Sequence, residues 1–235
     1  MDRQERQERY ERLEQEITDN FLLEGSALGS MPTLPKETVI NIFAERRGLV
    51  SCFTFMCEQF GPVMEIEKAR DIVFEIYREE MIDNNHRVDY YKELAILGID
   101  LATARKWRFS NTTNRVWEKM IRTVRSYLPR SELDRLLLLR YAGEYLPGIE
   151  FTKIYRRLEA FGLFDKHTSV FLYPHVLFDT TPHKGLASHA DRYLALLLDL
   201  LQTEDAWERA GQVLTRAARI RQEFYSQFLR TNGKG

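Results

Sequence analysis

The chain has 235 residues, enough for one domain with a sizeable core. Its 34 basic and 35 acidic side chains leave a net charge of −1, a balance with no global field to draw in DNA or RNA. No apolar run approaches the ~20 residues that a membrane span needs, and the two cysteines, Cys52 and Cys57, are too few and wrongly spaced for a disulfide scaffold or a zinc knuckle.

In chain order the pattern is helical almost throughout, with period-3.6 spacing and little strand signal. MDRQERQERYERLEQE opens a charged amphipathic helix over 3–23 and has no signal-peptide character. After GSALGSMPTLP, Pro35 starts a second helix with Thr33 as its expected cap. KETVINIFAERRGLVSCFTFMCEQF becomes strongly apolar in its second half, which marks it as central, and it ends at Gly61-Pro62. EIEKARDIVFEIYREEMIDNN is the third helix, and HRVDYYKELAILGID a shorter one closed by Gly98. TNRVWEKMIRTVRSYL follows the polar SNTT, and Ser131 caps SELDRLLLLRYAGEYL. Pro147-Gly148 reads as a break before IEFTKIYRRLEAF, which stops at Gly162. FLYPHVLFDTTPHKGLASH then leads into ADRYLALLLDLLQ, and Thr203 starts a last helix. The expectation is an all-α single domain of about seven main helices over residues 1–235, with residues 1–30 peripheral, in a soluble cytoplasmic protein with no nucleic-acid or membrane partner.

Three segments carry chemistry. Ile72, Ile76, Glu79, Asp83 and His86 recur on one helix face whose apolar start turns it inward; Glu80, one residue round, is the alternative to Glu79. Leu133, Leu137, Arg140 or Tyr141, and Glu144 form a second stripe, where Ala142 and Gly143 let two helices approach closely. In the third segment His175 and Asp179 lie one turn apart, with His183 four further on. Pro182 there calls for a kink or a widened turn. His167 and His189 read as surface or packing residues. Buried carboxylates are costly unless paired or bound to a cation. Mixed carboxylate and imidazole donors on inward helix faces suit a transition metal. The set Glu79, His86, Glu144, His175, Asp179 and His183 suits two irons with bridging carboxylates, with no catalytic residue needed beyond the ligands. Arg140, one turn before Glu144, is the candidate clamp for a substrate carboxylate.

REEMIDNNHRVDYYKELAILGID and the order Glu79–His86, Glu144, His175–Asp179–His183 resemble the haem-oxygenase-like diiron oxidases and oxygenases. That family shares its fold with thiaminase-type and pyrroloquinoline-quinone-synthase-type proteins, and the resemblance covers roughly residues 35–230. The family's last histidine commonly sits three residues after the aspartate; here it sits four after. The resemblance implies a haem-oxygenase-like bundle, two Fe(II) ions and O2 as cofactors, and a homodimer as one assembly. It also implies oxidation of a small carboxylate: an amino acid in a biosynthetic pathway (desaturation, C–C or C–N cleavage, N-oxygenation), or alternatively a fatty acid. A non-catalytic helical interaction protein of the same fold is the competing reading. Haem oxygenase itself is disfavoured, since no histidine precedes His86.

Overall fold

The computed structural model describes residues 1–83, 86–178 and 188–229, and among them every regular element is helical. Helix α1 (Arg3–Thr18) begins with a reciprocal cap: Asp2 accepts from the Glu5 amide while the Glu5 carboxylate accepts from the Asp2 amide. It runs on into a π-helical turn at Asp19–Leu23. Its inner face, with Tyr10, Glu14, Ile17 and Thr18 buried, packs on later helices, and its outer face is exposed.

Helix α2 (Lys36–Phe60) starts directly behind Pro35 with no side-chain cap. The expected cap, Thr33, lies instead in a 3₁₀ turn, where its hydroxyl donates to the Ser30 carbonyl. The fixed φ of Pro35 sets the helix entry without it. α2 is the central helix, as its apolar second half suggested. Phe43, Leu49, Cys52, Met56, Cys57 and Phe60 are all buried.

Helix α3 (Glu67–Arg78) ends in a second π-helical turn, Glu79–Asp83. α4 (His86–Ile96) is closed at Gly98, which takes the left-handed conformation, φ +85°. A short α5 (Leu101–Lys106), capped by Asp100, escapes sequence reading because six residues are too few to show a period. α6 (Asn111–Tyr127) is capped by Ser110, and α7 (Glu132–Leu138) by Ser131 as expected.

The break expected at Pro147-Gly148 does not occur. α7 passes through a third π-helical turn, Leu139–Tyr145, directly into α8 (Leu146–Ala160). The wide turn lies just ahead of Pro147, where a proline ring would otherwise strike the preceding turn of a regular helix. α9 (Leu172–Phe178), α10 (His189–Leu200) and α11 (Glu204–Ser226) complete the bundle.

The close approach foreseen at Ala142-Gly143 is present. A Cβ on Gly143 would run into the Phe53 ring of α2 and come 3.2 Å from Met56 Cε. No helix among the described residues is long and apolar enough to cross a membrane.

Candidate metal centre

The end of α3, the start of α4 and the middle of α9 converge on one cluster. One donor atom from each of Glu80, His86 and His175 lies within 4.8 Å of the other two. His86 Nδ1 donates to Glu80 Oε1 at 2.8 Å, and the two imidazole rings sit 5.0 Å apart. His175 Nδ1 is 2.7 Å from the Phe171 carbonyl oxygen. A carbonyl only accepts, so the ring proton is on Nδ1 and the Nε2 lone pair is left for a ligand role.

Two devices hold His175 in place. An aromatic wall surrounds its ring, with Phe171 at 4.2 Å and Phe151 at 5.1 Å. Tyr90 and Phe43 stack behind Phe171. The second device is Glu93 of α4, fully buried, whose carboxylate accepts from the Ser169 hydroxyl and from the amides of Val170, Phe171 and Leu172. The Leu172 amide, and the Phe171 amide just ahead of it, are donors that the first turn of α9 cannot satisfy internally, and a carboxylate is favoured at that end of a helix. Sequence reading missed Glu93; its only trace was an acidic residue on the otherwise buried side of YYKELAIL.

The electrostatics follow from this enclosure. Burial, and then the neighbouring His86, pushes the His175 pKa down to about 4. For His86, burial opposes the charged form, but the hydrogen bond and charge of Glu80, with Glu79 and Asp89 beyond, outweigh it and raise the pKa.

The widened turn sends the two adjacent glutamates in different directions. In a plain α-helix Glu79 would continue the Ile72–Ile76 stripe. With i→i+5 winding the phase slips, and Glu80 reaches His86 while Glu79 turns toward the start of α10. There it meets His189, whose Nε2 lies 3.9 Å from Glu79 Oε2 and 3.5 Å from Glu75 Oε1. His189 Nδ1 is 4.0 Å from Glu144 Oε1. His189, expected at the surface or in packing, thus stands among three carboxylates. Glu75 also receives both arms of the Arg192 guanidinium, at 2.9 and 2.7 Å, and that pairing lowers its pKa.

Asp179 and His183 lie outside the described residues. Arg140 is buried and committed: Nη1 pairs with Glu14 of α1 and Nε donates to the Ala190 carbonyl. The place foreseen for a substrate carboxylate on Arg140 is filled by Glu14.

No family model and no curated protein matches the sequence. Solved structures do. A TenA homologue from Pseudomonas syringae pv. tomato str. DC3000 superposes with a TM-score of 0.66 at 12% identity, over 97% of this chain and 92% of that one. A domain of unknown function with a haem-oxygenase-like fold from Shewanella denitrificans OS217 gives 0.65 at 13%, over 100% and 97%. The chain has the haem-oxygenase-like fold. A TenA homologue from P. horikoshii OT3 agrees, with a TM-score of 0.62 at 13% identity over 98% and 99% of the two chains. At such identities the likeness speaks for the backbone alone. Within the haem-oxygenase-like fold of this chain, the histidines and carboxylates gather where α3, α4, α9, α10 and the Leu139–Tyr145 turn meet.

Proposed function

We propose that the protein is a non-haem diiron oxidase or oxygenase acting on a small carboxylate, an amino acid ahead of a fatty acid. The observation that carries this reading is the convergence of Glu80, His86 and His175 on one point, with donor atoms within 4.8 Å of one another. Two imidazoles and a carboxylate suit iron, manganese or zinc. The second group, Glu79, Glu144 and His189, begins at the residue before Glu80 and extends the same donor chemistry. Glu80, His86 and His175 would hold one ion, and Glu79 and Glu144 would face a second. Iron bound there would supply the electrons that reduce O2 for oxidation of the substrate.

The chain's own residues have defined parts. The Phe171 carbonyl keeps the proton of His175 on Nδ1. Glu93 fixes the start of α9, so the imidazole cannot swing away. Phe43, Tyr90, Phe151 and Phe171 exclude water from that side of the cluster.

A thiaminase-type hydrolase would need an activated thiolate. Both cysteines are buried, and burial pushes the Cys52 thiol up to about 12 and Cys57 well above its ordinary value. Neither is poised as a nucleophile at neutral pH. A non-catalytic interaction protein has no use for a converging donor set.

The test is anaerobic addition of ferrous iron to metal-free protein, with elemental analysis, then admission of O2 while the visible spectrum is followed. About two irons per chain in the wild type, lost in His175→Ala with helicity by circular dichroism unchanged, is the expected outcome. Iron no higher than background in the folded wild type would remove the reading.

A further inference from the structure

One ring away from His175 lies a second buried polar cluster that the metal ligands do not use. Arg46 of α2, Glu150 of α8 and Arg221 of α11 are 1%, 0% and 2% exposed. Arg46 pairs with Glu150 through Nε, at 2.7 Å, and through Nη2. Its guanidinium lies over the Phe151 ring at 4.2 Å, and that ring in turn contacts His175 at 5.1 Å. Arg221 spends one arm on the Ala142 carbonyl, at 2.9 Å, within the π-helical turn that bears Glu144.

Among the described residues the rest of Arg221 is unsatisfied. Its Nε and Nη1 make no hydrogen bond there, although Nε lies 3.7 Å from Glu150 Oε1. Glu150 Oε1 and the Tyr225 hydroxyl, both buried, also lack hydrogen-bond partners among the described residues. Two arginines against one glutamate leave an excess positive charge sealed from water, which is costly unless an anion balances it. Among the described residues no neighbouring side chain provides that anion. Burial raises Tyr90 and Tyr225 far above the usual phenol range and Cys52 to about 12, so all three stay neutral at physiological pH.

The two unused donors, Nε and Nη1, lie on different edges of the guanidinium, and each offers one charge-assisted hydrogen bond to a carboxylate oxygen; the Tyr225 hydroxyl adds a third donor. We infer that Arg221, with Tyr225 beside it and Arg46–Glu150 holding it in place, is the seat of a ligand carboxylate that approaches the His86–His175 cluster past Phe151. The role foreseen for Arg140 belongs to Arg221. This rests on the proposed function for its meaning as a substrate site, but the binding event itself needs no metal. The unpartnered Glu150 Oε1 can accept from an α-ammonium group, so an amino acid and a simple carboxylate share the chemistry at this seat.

Metal-free protein is titrated with butyrate, L-2-aminobutyrate and the neutral butyramide, at constant ionic strength against chloride. Binding is read by calorimetry and by the shift in melting temperature. Saturable binding of butyrate or the amino acid, absent for butyramide and chloride, is expected. Arg221→Met should weaken it at least tenfold, and Arg221→Lys, which keeps the charge but loses the fixed guanidinium donors, should weaken it less. Tighter binding of aminobutyrate than of butyrate identifies an amino-acid site, and the reverse order a simple carboxylate site.

Equal stabilisation by butyrate and butyramide, or an Arg221→Lys affinity equal to wild type, would overturn the inference and leave buried water as the partner of Arg221. Ferrous iron uptake is measured separately, on aliquots of the same protein given iron anaerobically. Carboxylate binding without iron would refute the metal reading alone, and iron without carboxylate binding this one alone.

Discussion

Replacing Glu93 tests whether the placement of His175 depends on the clamp at the start of α9. Four donors converge on this buried carboxylate: Ser169 Oγ, the Val170 amide at 2.8 Å, and the Phe171 and Leu172 amides at 3.3 and 3.4 Å. Hydrogen bonds to a charged acceptor contribute roughly 1.5–3 kcal/mol each. The two short bonds dominate, because the longer pair is near the limit of useful geometry. Glu93→Ala should therefore cost about 4 kcal/mol. Against a total stability of about 5–15 kcal/mol, that is enough to threaten folding, so binding is better measured on Glu93→Gln. The amide keeps one acceptor and sets its NH2 against a donor, at a cost of about 1–2 kcal/mol. Denaturant unfolding gives the stability, and anaerobic calorimetry gives the affinity for ferrous iron. Loss of a residue that orients a ligand typically weakens metal binding about 10–100-fold. Glu93→Gln with wild-type iron affinity, and undiminished hydrogen-exchange protection at Phe171 and Leu172, would refute the clamp.

Three other outcomes are expected. The metal-free protein should lose stability in acid: His175 has a folded pKa of about 4 against an ordinary 6.5, so the unfolded chain binds the extra proton between these values. The His175 share is full above pH 6.5 and falls by about 3 kcal/mol as pH drops to 4. His86, with its raised pKa, adds stability that is fully present below 6.5 and lost as pH climbs through its folded value; His175→Phe should flatten the dependence in urea melts taken from pH 4 to 7. Arg140→Ala leaves Glu14 buried and unpaired, and should cost about 3–5 kcal/mol while leaving ferrous iron stoichiometry unchanged, by denaturant unfolding and elemental analysis. Gly143→Ala forces the Phe53 ring aside and should cost about 1–3 kcal/mol, most of it recovered in the double variant with Phe53→Leu.

Much of the bundle was legible because amphipathic helices advertise themselves. The apolar stripe of α2, Gly98 and Gly162, and the caps Ser131 and Thr203 all stand where their residue types require. His86 and His175 were also legible, since a histidine on an apolar stripe stands out. What the sequence hid was phase. A π-helical turn has no residue signature of its own, so the choice between Glu79 and Glu80 and the continuity of α7 into α8 could not be read from spacing. Long-range pairing was hidden for a different reason. Nothing in LLLLRYAG says that Arg140 will find Glu14, which lies 126 residues away, or that Glu150 will sit between Arg46 and Arg221. His189 looked like a surface residue because it opens a helix, where periodicity gives no inward direction.

The rod from Glu132 to Ala160 holds one more residue than a uniform α-helix of the same rise would need, and the surplus is stored at Leu139–Tyr145. Such a rod is sensitive to where its length changes as well as to its composition. Deleting a single residue inside the wide turn would let it relax into plain α-helix and leave both ends of the rod close to their present phase. Deleting one between the turn and Glu150 would instead swing everything beyond it by about 100° about the axis and carry Glu150 and Phe151 out of the interior. The wide turn is thus the one stretch of this rod that can give up a residue without turning the two halves of the bundle against each other.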